Sequence, residues 1–472
     1  MVIPARNVTI DPSTLASAVS NPEIGEVIDL VSGDILESAE FISAHRYDAL
    51  VETRGRILEA MKLDKPFYAC ALCYTPVYLV ASPTKSFFFR HRAEDGSCPA
   101  QTRGSLSQAE IRALKYNGVR ESEAHKKIKQ LISRSLAADP RFIPGSIALE
   151  QRWRSHDNPD QWRQPDVQAT CEGMRLAFEA QLSTTFLDVV VGRRSFYRND
   201  GALLVWILRK FDPNDRRLMI DDLLFSNNSN ILVVDEDTAL LSEERREFYL
   251  RCHFRCLKRE AERIVENWDV RVASFHDLIR NIEKQQVFLF DHRSEQARLI
   301  AETDGELRAA FFALCETVEF PYDPRPEVVQ AWQALGAKLA ARNVAIPPTP
   351  HADKGFRTLI MSLLSAKKGA PFGWGFKALI EVAHHIAEEH PQHLLAFGYA
   401  LEHYGLRLLI ESQDVSGKWR RKCDRFRPLI KSYDPTYMPD QNWLATLVFL
   451  FPEIGEQLND FVSRAPKITS AN

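Results

Sequence analysis

The sequence predicts an α/β fold: a mixed central sheet preceded by a small cysteine-rich module and followed by a mainly helical region. Three observations carry this. Leu203-Leu-Val-Trp-Ile-Leu208 is a continuous apolar run of the kind that lies buried on both faces in the middle of a sheet. Met174 to Leu182 alternates apolar and polar positions, as a strand with one covered face does. Gln108 to Leu136 and Thr184 to Tyr197 have the period of helices and flank those strands in the chain.

From the N-terminus, Glu26 to Leu36 reads as strand, Gly-turn, strand, and Arg46 to Met61 has helical spacing. Residues 67 to 100 form a Cys/Phe-rich hairpin-like segment. Ser146 to Arg154, Gln164 to Ala169 and Met174 to Leu182 are candidate strands, with two more at Leu218 to Phe225 and Asn230 to Val234. A long charged helix is expected from Ser242 to Val265, and residues 355 to 465 look mainly helical beyond two proline clusters. The expected regions are an N-terminal module at 1–105, a core at 106–240, a helical extension at 241–325 and a helical domain at 326–472.

With 472 residues, 45% of them hydrophobic and 26% charged, the chain has the composition of a soluble protein of more than one domain. A net charge of −3 announces no global nucleic-acid binder, so any such contact must be local. No apolar run approaches a membrane span, and Met1 to Ile10 has no secretory pattern. Eight irregularly spaced cysteines do not make a secreted disulfide scaffold, so the expected location is the cytoplasm. Gly-rich phosphate loops, nucleophile elbows and dinucleotide fingerprints are missing from the sequence.

The chemistry concentrates in Pro165-Asp-Val and, thirteen positions after the Asp, Glu179-Ala-Gln181. On a strand, Glu179 and Gln181 share a face with Arg175 and Ala177, while Leu176, Phe178, Ala180 and Leu182 supply the buried face. Asp166 ends a neighbouring strand. Two carboxylates and the Ala180 carbonyl make an open set of hard oxygen ligands suited to Mg²⁺ against a phosphate. Gln181 cannot act as a base but can orient a water. Glu121, with His125, Ile128 and Ile132, lies on the inward face of its helix, where a carboxylate needs a partner or a metal.

These segments, with Glu121-Ser-Glu-Ala-His125-Lys-Lys-Ile-Lys129, Phe178 to Ser183, Arg194, Tyr197 and Trp206-Ile-Leu208, resemble the bacterial competence protein CoiA-like family. That family is similar to the PD-(D/E)XK nuclease superfamily, in a variant with Gln for the usual Lys. The resemblance spans about residues 26 to 225. It implies a nuclease core acting on DNA, with Glu121, Asp166, Glu179 and Gln181 catalytic and Mg²⁺ on Asp166 and Glu179. It further implies that His125, Lys129, Arg194 and Tyr197 lie near the phosphate backbone. The segment between Glu121 and Asp166 carries an aromatic, basic insertion: Trp153, Arg154, Trp162 and Arg163.

Cys70-x2-Cys73, then His91 after seventeen residues and Cys98 after six more, has the spacing of a four-ligand structural zinc site. Cys252 and Cys256 are expected on the charged helix as packing residues, and His384 to His393 as a solvated helix end. The basic run Lys418 to Arg427 interleaves aromatics and could grip nucleic acid, though such a run is more often a solvated face. The expected activity is a Mg²⁺-dependent deoxyribonuclease in DNA uptake, recombination or defence. The alternative is a non-catalytic nucleic-acid-binding or scaffolding protein of the same fold. A protein partner or a second copy is expected on the C-terminal helical region.

Overall fold

The computed structural model describes residues 9–93, 98, 100, 123–181, 187–260, 263–317, 321 and 325–466. The chain divides into two compact units, Met1–Leu299 and Ile300–Asn472.

In the first unit, strands β1 (Glu26–Asp29), β2 (Ile35–Glu37) and β3 (Tyr68–Cys70) form an antiparallel sheet in the order β2-β1-β3. Between β2 and β3 run helices α1 (Ser38–Ser43) and α2 (Tyr47–Lys62), and after β3 comes the hairpin β4 (Val77–Ala81) and β5 (Phe87–His91). These elements do not have a core of their own. Val27, Tyr47, Leu50, Phe87 and Phe89 share one buried cluster with Leu208, Leu223, Phe225 and Ile231 of the central region. A buried ionic knot reinforces that junction. Asp221 accepts from Lys85 Nζ at 2.7 Å, Arg216 Nε at 2.8 Å and Tyr47 Oη at 2.8 Å, so its desolvated charge is fully compensated.

The central sheet contains β6 (Ala148–Leu149), β9 (Val167–Cys171), β10 (Met174–Gln181), β11 (Leu203–Leu208), β12 (Asn230–Val233), β13 (Tyr249–Glu260) and β14 (Arg263–Ser274). Their order is β14-β13-β12-β11-β10-β9-β6. β10, β11 and β12 are parallel, and the other pairings are antiparallel. A separate two-stranded hairpin, β7 (Trp153–Arg154) and β8 (Trp162–Arg163), carries the aromatic, basic insertion. Helix α3 (Glu123–Ala138) covers one face of the sheet. Its Ile128, Leu131, Ile132 and Leu136 pack with Leu176, Phe178 and Val205. Helix α4 (Leu187–Asn199) covers the other face, where Phe196 and Tyr197 meet Ala177 and Leu204. Both faces of β11 are therefore covered, as its unbroken apolar run requires.

Two sequence expectations are corrected. The charged helix expected from Ser242 to Val265 stops early. Helix α6 (Glu236–Arg245) ends at Arg246 in the left-handed conformation, and β13 and β14 follow as a long hairpin, so that of the expected helical extension at 241–325 the later part, His292–Thr317, is helix. Leu250, Cys252 and Phe254 are buried alternately, a period of two that the surrounding charges mask. Leu218 to Phe225, expected as a strand, is helix α5 (Leu218–Ser226). A short apolar run is ambiguous between the two states.

The second unit is helical, built around a helix at Lys354–Lys368 with ten buried residues. The Asp353 carboxylate accepts the Phe356 N–H at 2.6 Å at its start, and Gly369 at φ 69° ends it. In the basic helix Lys418–Lys431, Trp419, Phe426 and Ile430 pack onto the helical core, so the interleaved aromatics are committed to packing. His390 and His393 are buried, correcting the expected solvated helix end. Among the described residues no helix is long and apolar enough to cross a membrane.

Candidate functional site

The antiparallel register of β9 and β10 pairs Val167 with Phe178, and the next step brings Asp166 opposite Glu179. Asp166 Oδ2 accepts the Ala180 N–H at 2.8 Å and lies 3.3 Å from His125 Nε2 of α3. The alternation along β10 is as expected: Leu176, Phe178 and Ala180 enter the core under α3, and Ala177 faces α4. Glu179 and Gln181 are both buried. Glu121 lies outside the described residues.

Helix α4 supplies a cation to Glu179. Arg193 forms an ion pair with Glu179. Four residues on, and therefore on the same helix face, Tyr197 is completely buried and packs edge-on to Trp153 at 5.3 Å. Its hydroxyl has no hydrogen-bond partner among the described residues. Burial pushes its pKa far above the ordinary phenol value, against the pull of Arg193 and Arg163.

The residues that the family resemblance assigned to nucleic-acid contact divide. His125 reaches the acids. Lys129, one turn later, is itself buried and pairs with Glu150 at 2.6 Å. Arg194 turns away from the acids. Its Nη2 donates to the Lys284 carbonyl at 2.8 Å, and it walls a cavity of about 20 Å³ with Trp206, Asn227 and Gln285. Burial lowers its pKa. Tyr197 is too enclosed to touch a ligand from solvent in this conformation. A backbone-contact role for Arg194 and Tyr197 therefore does not fit their placement. Arg193 is not singled out by the sequence, because the helix phase that separates it from Arg194 is fixed by packing.

The hairpin β7–β8 is bound beside this site through Asp200, whose side chain is fully buried. Asp200 accepts Trp153 Nε1–H at 2.6 Å, His156 N–H at 2.7 Å and Arg175 Nη2–H at 2.9 Å. Burial alone would raise its pKa, but these donors hold it below the usual carboxylate range. Arg175 stacks over Trp153 and Arg163 over Phe196. Between hairpin and sheet runs a groove of about 320 Å³ lined by Arg152, Arg154, His156 and Arg175.

Cys70, Cys73, His91 and Cys98 converge, with all four ligand atoms within 4.8 Å of one another. Cys70 Sγ is 4.0 Å from Cys98 Sγ, and Cys73 Sγ is 3.4 Å from His91 Nε2. A tetrahedron of ligands about 2.3 Å from a metal has edges of about 3.8 Å, so the cluster could hold such an ion. The knuckle forms because the Tyr74 N–H bonds back to the Cys70 carbonyl at 2.9 Å, with Tyr74 at φ 58°. His91 is delivered by its pairing with Val77 across β4–β5.

No curated protein and no solved structure matches the chain. Residues 33–105 match a family model described as a domain of unknown function (DUF7830), and residues 109–293 match a second, also described as a domain of unknown function (DUF6035).

Proposed function

We propose that the first unit is a metal-dependent nuclease hydrolysing phosphodiester bonds in DNA, with Mg²⁺ held by Asp166 and Glu179. The observation that carries this reading is the register of β9 and β10, whose next step brings the Asp166 and Glu179 backbone positions opposite one another. Their carboxylate oxygens suit a hard cation, which would supply neutralisation of charge on the phosphodiester. Among the described residues the contacts of Asp166 fall on Oδ2, and Oδ1 would be the ligating oxygen. Arg193 must yield Glu179 to the ion and then faces the phosphate. Gln181 lies on the same strand face as Glu179 and orients the attacking water. Arg152, Arg154 and Arg163 on the hairpin give the backbone local positive charge that the net charge of −3 withholds. Zinc in the Cys70 cluster holds the N-terminal strands together and takes no part in the reaction.

A second reading, a non-catalytic nucleic-acid-binding protein of the same fold, is favoured by two observations. Glu179 is already neutralised by Arg193, and position 181 is Gln where the superfamily that the chain resembles usually has Lys. Incubating the full chain with DNA and Mg²⁺ or Mn²⁺ separates the two. Cleavage abolished by Asp166→Ala and by Glu179→Ala supports the nuclease. Cleavage surviving both removes the site, and metal-independent binding without cleavage selects the second reading.

A further inference from the structure

Cys171 and Glu172 lie at the other end of β9 from Asp166. Five residues of strand at about 3.3 Å each put the two ends about 17 Å apart. Cys171 Sγ, a Glu172 carboxylate oxygen and a ring nitrogen of His276 all lie within 4.8 Å of one another. His276 comes from a short turn, Phe275–Asp277, that follows β14. Its Nε2 is 2.9 Å from Asp139 Oδ2, and the Asp139 carboxylate is fully buried. In the tautomer that donates from Nε2 to this carboxylate, Nδ1 carries the lone pair. The Nδ1 atom is buried and has no hydrogen-bond partner among the described residues. The His276 side chain is only 10% exposed, so water does not readily satisfy it.

We infer that Cys171, Glu172 and His276 Nδ1 form a second metal site, for a divalent ion of the zinc class, with Asp139 as the positioning residue behind the imidazole. Thiolate, carboxylate and imidazole together suit a borderline ion better than Mg²⁺ or Ca²⁺. The carboxylate–histidine pair is the usual device for aiming a ligating nitrogen. The walls are apolar: the Phe142 and Phe275 rings stand 6.0 and 5.9 Å from the imidazole. Glu172 is exposed, so the site lies at the protein surface on that side. Arg280 Nη1, 3.8 Å from Glu172 Oε2, is the cation beside the site. Glu172 occupies φ 50° in the turn between β9 and β10, followed by Gly173 at φ 81°. Asn, Asp or Gly is the usual choice for such a turn, so the glutamate is not there for the backbone.

The test is zinc and Co²⁺ titration of the full chain, comparing wild type with Cys171→Ser, Glu172→Gln and Asp139→Asn. Expected is one metal equivalent lost in Cys171→Ser, an affinity at least ten-fold weaker in Glu172→Gln, and a ten- to hundred-fold loss in Asp139→Asn. The difference between proteins isolates this site, since all of them keep the Cys70 cluster. Glu172 is exposed on a turn, so its variant folds even where the buried substitutions do not. Equal stoichiometry and affinity in wild type and Glu172→Gln overturns the assignment, as does a Co²⁺ spectrum unchanged by Cys171→Ser.

Discussion

Arg193 and Glu179 form an ion pair between α4 and β10, one register step beyond the pairing of Val167 with Phe178. The guanidinium neutralises Glu179 as a divalent cation would, so the two compete for one carboxylate. Arg193→Met leaves a buried carboxylate without its partner, at a cost of about 3 kcal/mol in chemical denaturation. Mn²⁺ or Mg²⁺ in the millimolar range should then stabilise the variant more than the wild type. An identical metal response in both proteins would mean that no cation reaches Glu179.

If the Cys70 cluster holds a metal ion, as proposed, its loss should unravel more than a turn. Cys70 ends β3, His91 ends β5, and Cys70 and Cys98 lie in the buried cluster that joins the N-terminal strands to the central sheet. Ligation energy is folding energy in such a module. A strong chelator, or Cys73→Ser, should therefore lower the melting temperature of the first unit, with zinc restoring only the chelated wild type. If neither treatment moves the transition, the four side chains are simply packed thiols and an imidazole.

Where the sequence was legible, one element settled its own conformation. β10 alternates cleanly, β11 is apolar throughout, and the C-x2-C knuckle is local, so their roles follow from neighbours in the chain. Long-range partners were not legible. His276 reaches Cys171 only because β13 and β14 return the chain across the sheet. Asp221 and Asp222 are buried in α5 because Lys85, Arg216 and Arg54 reach them from outside that helix. β13 was misread because its exposed positions are densely charged, and charge at close spacing suggests a solvated helix. Burial at Leu250, Cys252 and Phe254 shows the strand period beneath it.

Asp200 determines whether the basic hairpin stays in place. Asp200→Ala removes the acceptor for Trp153, the His156 N–H and Arg175 together, leaving donors unpaired in a closed space. The cost should be about 3 kcal/mol. Hydrogen exchange over residues 153–163 should quicken while β10 stays protected. On the nuclease reading DNA affinity falls with it, and its salt dependence becomes shallower. Unchanged exchange in the hairpin would show that Trp153 and Arg175 hold it without the carboxylate.

Acid should weaken the second unit through its buried histidines. His393 is 1% exposed, its Nε2 lies 3.1 Å from the Gly355 carbonyl, and the His390 ring stacks on it at 5.5 Å. Burial pushes the His393 pKa down to about 4, and the neighbouring His390 acts in the same direction. Burial lowers His390 as well. An unfolded histidine takes up its proton near pH 6.5, whereas the folded one stays neutral until pH about 4. Between those values the unfolded state binds more protons, so stability falls as the pH drops from about 6.5 to about 4 and is level above 7. For His393 the fall is on the order of 3 kcal/mol. His393→Gln keeps an N–H for Gly355 and cannot titrate, so it should flatten the slope. Exchange protection of the helix Lys354–Lys368 reads it directly, and equal protection at pH 7 and pH 5 in the wild type would rule this histidine out as the acid-sensitive group.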